Sequence, residues 1–302
     1  MIKRLHCYFK EMYPIIPRLI LGVIIFSEIY FIILLNYGVT KFNIGISEFI
    51  GAFTIFSFLL MLRIADDFKD YELDCKLFPK RPLPSGKVTK KDLKIFVIVL
   101  ISITTILNLL FMNNFLFFLF LYIYGGLMSV WFFKKDKIQP NLMLALVTHN
   151  PVQMIMNIYI ISFTCIKYSL EPFTYISILT AFTLYFPALI WEISRKIRAP
   201  KDETEYVTYS KLFGYKKTVR FVMLITVIDL ITNIILVYNL NKISILVLVL
   251  NLIWYIVDSI IFIKNPERFK YIKKVERYTY ITEATMILTI IIYLLVGKVW
   301  WI

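Results

Sequence analysis

The run Leu62-Arg63-Ile64-Ala65-Asp66-Asp67-Phe68-Lys69-Asp70-Tyr71-Glu72-Leu73-Asp74 has the residue types and spacing to bind a metal. On a continuous helix Asp66, Asp70 and Asp74 stand at i, i+4 and i+8, and Asp67 joins them through i+3 and i+7. Four acids then share one face over roughly 12 Å. Their mutual repulsion is costly unless cations neutralise it. Carboxylates on one rigid strip suit Mg²⁺, which takes a few oxygens together with water and substrate phosphate. Lys80, Arg81, Pro82, Leu83, Pro84, Ser85, Gly86 and Lys87 follow, and their prolines and glycine specify a shaped turn. Arg81 offers a bidentate contact to phosphate, and Lys80 or Lys87 a point charge. Acids that hold a metal beside bases that hold phosphate point to a diphosphate substrate. The alternative is a solvated charged loop in which Arg63 pairs with Asp66 or Asp67.

A second charged run, Trp191-Glu192-Ile193-Ser194-Arg195-Lys196-Ile197-Arg198-Ala199-Pro200-Lys201-Asp202-Glu203, sets Glu192 and Lys196 at i and i+4, with Pro200 ending the helix. Tyr209, Ser210, Lys211 and Gly214 follow in a loop. Between the two runs, an otherwise apolar stretch carries Thr148, His149, Asn150, Gln153 and Asn157 at helical spacing. His149, Asn150 and Gln153 either line an acceptor pocket, with His149 as base, or hydrogen-bond between helices beside the carbonyl that Pro151 frees. Asp229 with Asn233, and Glu28, carry the same two readings; for Glu28 the structural one is favoured.

The elements that must position these residues are apolar and long. The 302 residues are 59% hydrophobic and 18% charged, with a mean hydropathy of +0.74, too little polar material to clothe a water-soluble exterior. Nine apolar blocks, near 14–36, 45–65, 92–111, 113–133, 141–165, 172–194, 218–240, 243–263 and 278–297, have about the twenty residues that cross a bilayer. They predict an all-α integral membrane protein, a single polytopic domain over residues 1–302. Met1 to Lys10 is basic and amphipathic, and the first block is long enough to remain a spanning helix.

Net charge is +14, but its distribution speaks for lipid and against nucleic acid. With the N-terminus inside, all of the 34 Lys and Arg except Lys41, Lys167, Lys242 and Lys298 fall on the cytoplasmic side of a nine-span topology. The Asp-rich loops are then cytoplasmic and the C-terminus lies opposite. That basic face attracts anionic headgroups and anionic substrates. Cys7, Cys75 and Cys165 show no metal or redox spacing, and no disulfide framework is implied. The two charged runs close the second and sixth spans, which share orientation, so two four-helix halves in parallel plus a ninth helix are expected.

Asp66-Asp67-Phe68-Lys69-Asp70-Tyr71-Glu72-Leu73-Asp74 closely resembles the NDxxDxxxD motif of the UbiA-type intramembrane prenyltransferase superfamily, and Arg81-Pro82-Leu83-Pro84-Ser85-Gly86 matches the RPLPSG that commonly follows it. Lys134 and Lys135 resemble the family's basic pair after the fourth span, and Leu212-Phe213-Gly214 the end of its second conserved loop. The resemblance implies a nine-helix bundle around a central cavity, with Mg²⁺ and a prenyl diphosphate at the cytoplasmic end and the isoprenoid in an apolar tunnel. By position, Asp67, Asp70 and Asp74 would hold Mg²⁺, with Asp66 where the family usually has Asn, and Arg81 would contact diphosphate, as would Lys80 and Lys134. The second motif departs from the family's DxxxD: with Asp202 at its second acid, Arg198 occupies the first. Either Glu192 supplies the missing carboxylate to a second metal, or Arg195, Lys196 and Arg198 bind diphosphate directly.

Metal and bases together would stabilise the departing diphosphate. A membrane cavity would keep the allylic cation from water, and aromatic faces would steady it. The function expected is prenyl transfer to an aromatic, lipid or phosphate-bearing acceptor. Terpene cyclisation on the same scaffold is the alternative. A transporter trails, because its ion sites belong at the midplane and these acids sit at helix ends.

Overall fold

The computed structural model describes residues 1–204 and 207–298. Among them every regular element is helical: α1 (Ile2–Met12), α2 (Ile15–Asn36), α3 (Ile46–Lys69), α4 (Tyr71–Leu77), α5 (Lys90–Phe111), α6 (Phe115–Ser129), α7 (Lys135–Ile138) and α8 (Leu142–His149). The chain continues through α9 (Val152–Lys167), α10 (Tyr175–Thr183), α11 (Phe186–Ser194), α12 (Tyr209–Phe213), α13 (Tyr215–Val237), α14 (Lys242–Lys264) and α15 (Tyr271–Val296). Among the described residues eight helical stretches are long and apolar enough to cross a membrane, and α6 is a shorter apolar ninth. The all-α membrane architecture expected from hydropathy is therefore present.

Prolines and left-handed turns account for where the helices differ from the apolar blocks. The fifth block divides into α8 and α9 at Asn150-Pro151, where a proline lacks the donor that continues a helix. The sixth divides into α10 and α11 just before Pro187, which sits in the first turn of α11, where its missing N–H costs nothing. The fourth is cut short because Trp131, Phe132 and Phe133 take φ of 56°, 50° and 57°. Three consecutive aromatic residues in the left-handed region end α6 at Ser129.

The chain divides into two compact units, one of residues 1–27, 41–137 and 158–170, the other of 28–40, 138–157 and 171–302. In the first, α3 packs against α5 and α6, and α1 against α5. Its core joins Leu5 and Tyr8 of α1 to Phe56, Leu60 and Ile64 of α3, Leu93 and Leu100 of α5, and Leu83 and Val88 of the loop before α5. The contact of α3 with α6 needs Gly125, since a Cβ there would come within 2.6 Å of the Phe58 ring. In the second unit, α13 packs on α10, α11, α12 and α14, and α15 on α11 and α14. Its core runs from Ile190 and Ile193 through Val219 and Val222 to Tyr255, Tyr271 and Tyr278.

Candidate functional site

The acid strip keeps its helical bonding through a bend. Asp70 leaves the helical region at φ −96°, ψ 8°, yet its N–H donates to the Asp66 carbonyl at 2.9 Å and the Asp74 N–H to the Asp70 carbonyl at 2.8 Å. The i, i+4, i+8 register read from the sequence therefore survives the break between α3 and α4. The four acids do not share one environment, however. Asp67 and Asp74 are buried, at 4% and 6% exposure, whereas Asp70 is exposed and the Asp66 side chain half exposed, 3.7 Å from the Lys69 ammonium. Helical geometry explains this: residues seven apart return to one stripe, whereas adjacent Asp66 and Asp67 diverge by about 100°.

Each buried carboxylate is held by a guanidinium. Arg63 Nη2 donates to Asp67 at 2.7 Å, the pairing that the solvated-loop alternative named. The Tyr8 hydroxyl of α1 donates to the other Asp67 oxygen at 2.6 Å. Burial and the Asp67 charge push the Tyr8 phenol well above its usual range, so it remains a donor. Arg81 Nη1 lies 2.8 Å from both oxygens of Asp74, and its guanidinium stacks 3.9 Å from the Phe78 ring centre. Asp67 is also within electrostatic range of Asp74 and Arg81.

The Pro-Leu-Pro-Ser-Gly segment aims Arg81. Its Ser85 N–H closes on the Arg81 carbonyl at 2.9 Å and its Val88 N–H on the Pro82 carbonyl at 3.1 Å. Gly86, at φ 76°, takes the left-handed position, and Leu83 and Val88 anchor the turn in the core. Glu11, Met12, Arg18, Arg63, Lys80 and Arg81 line an open cleft of about 590 Å³. Four of these carry positive charge and one, Glu11, is an acid already bonded to Lys87 at 3.0 Å. The cleft is thus a cationic bowl with two buried carboxylates bound to its guanidinium groups.

Among the described residues no three His, Cys, Asp or Glu side chains converge as a metal-holding group. Mg²⁺ commonly takes one or two carboxylates and completes its shell with water and phosphate. Asp67 and Asp74 are hard oxygen donors of that number, and a carboxylate has about four lone-pair sites, so their arginine bonds leave acceptor capacity. The donor chemistry fits the ion. Lys134 and Lys135 are exposed beyond the left-handed turn, and the Trp131 ring of that turn lies 4.8 Å from the Lys69 ammonium. The turn after α6 is thereby brought to the end of α3.

The second run is organised differently, in the other unit. Glu192 is bonded to Arg195 Nε at 2.5 Å and to the Lys196 ammonium at 3.0 Å. Arg198 donates through Nη1 to Thr204 at 2.7 Å, and Asp202 is exposed in the helical turn Pro200–Asp202. Glu203 accepts from the hydroxyls of Thr208 and Ser210. In the polar stretch, the Asn157 side chain donates to the Ala181 carbonyl of α10 at 3.0 Å, and Gln153 donates to Asn157 at 3.2 Å. That pair bonds between helices. Thr148 Oγ1 lies 3.0 Å from His149 Nδ1 at the end of α8, and Asn150 occupies the break. Asp229 accepts from Tyr278 and Asn233, both at 2.9 Å, and Glu28 hydrogen-bonds Glu283 of α15.

Sequence reasoning did not select Tyr8 or Arg18. Arg18 had a signal, since it is a cation within the first apolar block. For Tyr8 the apolar stripe Leu5, Tyr8, Phe9 and Met12 indicates that α1 packs, but not against what.

Membrane-length helices, a cationic cleft and two arginine-held aspartates define a polytopic membrane protein with a basic cleft in its first unit. A family comparison matches residues 26–280 to the UbiA prenyltransferase family, and the chain belongs to that family. A solved structure of a digeranylgeranylglyceryl phosphate synthase aligns with a TM-score of 0.66 at 17% identity, covering 95% of this chain and 98% of that one; this likeness is one of fold. No curated protein sequence matches the chain.

Proposed function

We propose that this protein ionises a prenyl diphosphate at the cleft of the first unit and transfers the prenyl group to an acceptor. The observation that carries the reading is the pairing of Arg63 with Asp67 and of Arg81 with Asp74 beside a cleft that also holds Arg18 and Lys80. Family membership supports the same chemistry.

The diphosphate enters as a polyanion drawn to the four cations. Arg81 exchanges Asp74 for a diphosphate oxygen, a fork-shaped contact that guanidinium makes well. Asp74 and Asp67, with exposed Asp70 close by on the same strip, are then available as oxygen ligands. Mg²⁺ bound there with the substrate would supply Lewis-acid stabilisation of the diphosphate oxygens. The carbon–oxygen bond breaks with its electron pair leaving on diphosphate, and Arg63, Lys80 and Arg81 stabilise the charge that develops. Tyr8 keeps Asp67 oriented throughout by donating to it. Bond formation at the allylic carbon then releases a proton from the acceptor.

The test is Mg²⁺-dependent diphosphate release by purified protein, given prenyl diphosphates of increasing length with and without a membrane extract. Release that requires the extract, with a new adduct in the mass spectrum, supports transfer. Release without it, yielding a cyclised hydrocarbon, points to a cyclase, and no release under either condition overturns the reading.

A further inference from the structure

The acid strip has a second side that the proposed chemistry leaves unused. Asp67 and Asp74 share one stripe, whereas Lys69 lies two residues beyond Asp67, about 200° around the helix axis. Its ammonium is 3.7 Å from the Asp66 carboxylate and 4.8 Å from the centre of the Trp131 ring. Asp70 lies within its electrostatic range. The left-handed turn after α6 brings Trp131 to this place, and an edge-on contact between Phe132 and Tyr124 of α6, 5.4 Å between ring centres, steadies the turn.

The Lys69 side chain is 6% exposed, against 50% for Asp66. An ammonium is strongly hydrated, and lysine is almost never buried without a partner. Here water is exchanged for one carboxylate and one aromatic face, whose quadrupole attracts a cation. Methionine would fill much the same space without the cost of desolvating a charge, so the charge itself needs a reason.

Three of the four acids carry a base: Asp66 has Lys69, Asp67 has Arg63 and Asp74 has Arg81. The bases differ in what can remove them. Arg63 and Arg81 line the cleft, where diphosphate competes with the carboxylates for their guanidinium groups. Lys69 is covered by Trp131 and is not one of the residues lining the cleft, so diphosphate leaves it in place. A divalent ion beside Asp66 would stand against a fixed ammonium and be repelled. We infer that Lys69 is a built-in cation: its ammonium takes the place beside Asp66 that a metal would fill, and confines Mg²⁺ to the Asp67–Asp74 side of the strip. The inference rests on the proposed binding of Mg²⁺ with diphosphate at this strip.

The full chain in detergent is titrated with Mn²⁺ in the presence of inorganic diphosphate, and bound ions are counted by electron paramagnetic resonance. Asp67→Asn should weaken Mn²⁺ binding about tenfold or more, as loss of a ligand requires. Asp66→Asn should weaken it about threefold at most, the scale of a half-exposed charge acting without contact. Equal weakening by the two would make Asp66 a ligand and overturn the inference. Lys69→Met should add one bound ion per chain, and Lys69→Arg none. Tb³⁺ alone locates the added ion, because a neighbouring tryptophan sensitises its emission. Emission excited through tryptophan should rise in Lys69→Met, and adding Trp131→Phe or Asp66→Asn to that variant should remove the gain. A Lys69→Met chain that melts like the wild type yet gains neither ion nor emission also overturns the inference. If that variant does not fold, the comparison of Asp66→Asn with Asp67→Asn decides alone. A wild-type chain that binds no Mn²⁺ with diphosphate counts against the transferase reading, and the Tb³⁺ gain then decides the role of Lys69 separately.

Discussion

In the proposed chemistry, Arg81 holds a carboxylate that the diphosphate displaces. Both oxygens of Asp74 lie 2.8 Å from one guanidinium nitrogen, so binding diphosphate exchanges one charge-assisted contact for another. Arg81→Ala should therefore weaken prenyl-diphosphate binding by about 1.5–3 kcal/mol, roughly ten- to a hundredfold, in a fluorescent-analogue displacement titration. Arg81→Lys should recover part of this, because an ammonium keeps the charge and loses the fork. Unchanged affinity in Arg81→Ala would remove Arg81 from the site. Tyr8→Phe tests a subtler point. It leaves buried Asp67 with Arg63 alone, so the melting temperature in detergent should fall and diphosphate release slow, while Tyr13, which bonds a backbone carbonyl in the same core, tolerates Phe with activity retained. The acids and Arg81 were legible in the sequence because their spacing and chemistry are local. Tyr8 was not, since it meets Asp67 across 59 residues and only packing of α1 brings them together.

At the scale of elements, two devices hold the parts in place. The first is the turn after α6. Phe133 has φ 57° and is 77% exposed from the rest of the protein, so it stores backbone strain with few protein contacts in return. Phe133→Gly should raise stability by about 1 kcal/mol, read as a higher melting temperature, because glycine adopts that region freely. A lower melting temperature would mean that the ring packs more than its exposure suggests. Hydropathy read this turn as helix because its residues are aromatic; their backbone conformation is invisible to composition. The second device is the bond from Glu11 of α1 to Lys87 of the loop that carries Arg81. Lys87 holds the Glu11 carboxyl below its usual range, and Glu11 holds the Lys87 amine above its own. The depressed acid contributes fully above about pH 4.3 and is lost as pH falls through its lower folded value. The raised base contributes fully below about pH 10.4 and is lost above its higher folded value. Amide protection factors in α1, corrected for the intrinsic pH dependence of exchange, should thus be highest between these limits and fall at either extreme. Lys87→Ala should flatten that profile, and an identical profile in the variant would show that α1 is held by its apolar face alone.

At the scale of the whole molecule, the count of crossings decides which face each loop occupies, and that count turns on α6. Its 15 residues reach about 22 Å, short of a hydrocarbon core of about 30 Å. Contacts within the first unit bear on the question. The Lys167 ammonium pairs with Glu48 and donates to the Asn43 carbonyl, and the Asn43 N–H donates to the Tyr168 hydroxyl. The start of α3 and the end of α9 therefore meet at one membrane face, and an even number of crossings must separate them. The helix α3, the helix α5 and the broken helix α8–α9 give three, so α6 must be the fourth, with its flanking turns completing the passage. The charge pattern agrees, because Lys41 and Lys167 are both among the four cations that a nine-span topology sets outside. In a cysteine-free background, Lys41→Cys and Tyr168→Cys should both react with an impermeant maleimide applied to intact cells, and restored Cys75 only in inverted vesicles. Labelling of positions 41 and 168 from opposite faces would mean that α6 does not cross. The half of the chain beyond it would then invert, carrying the second charged run to the face away from the acid strip and separating the two motifs by a bilayer.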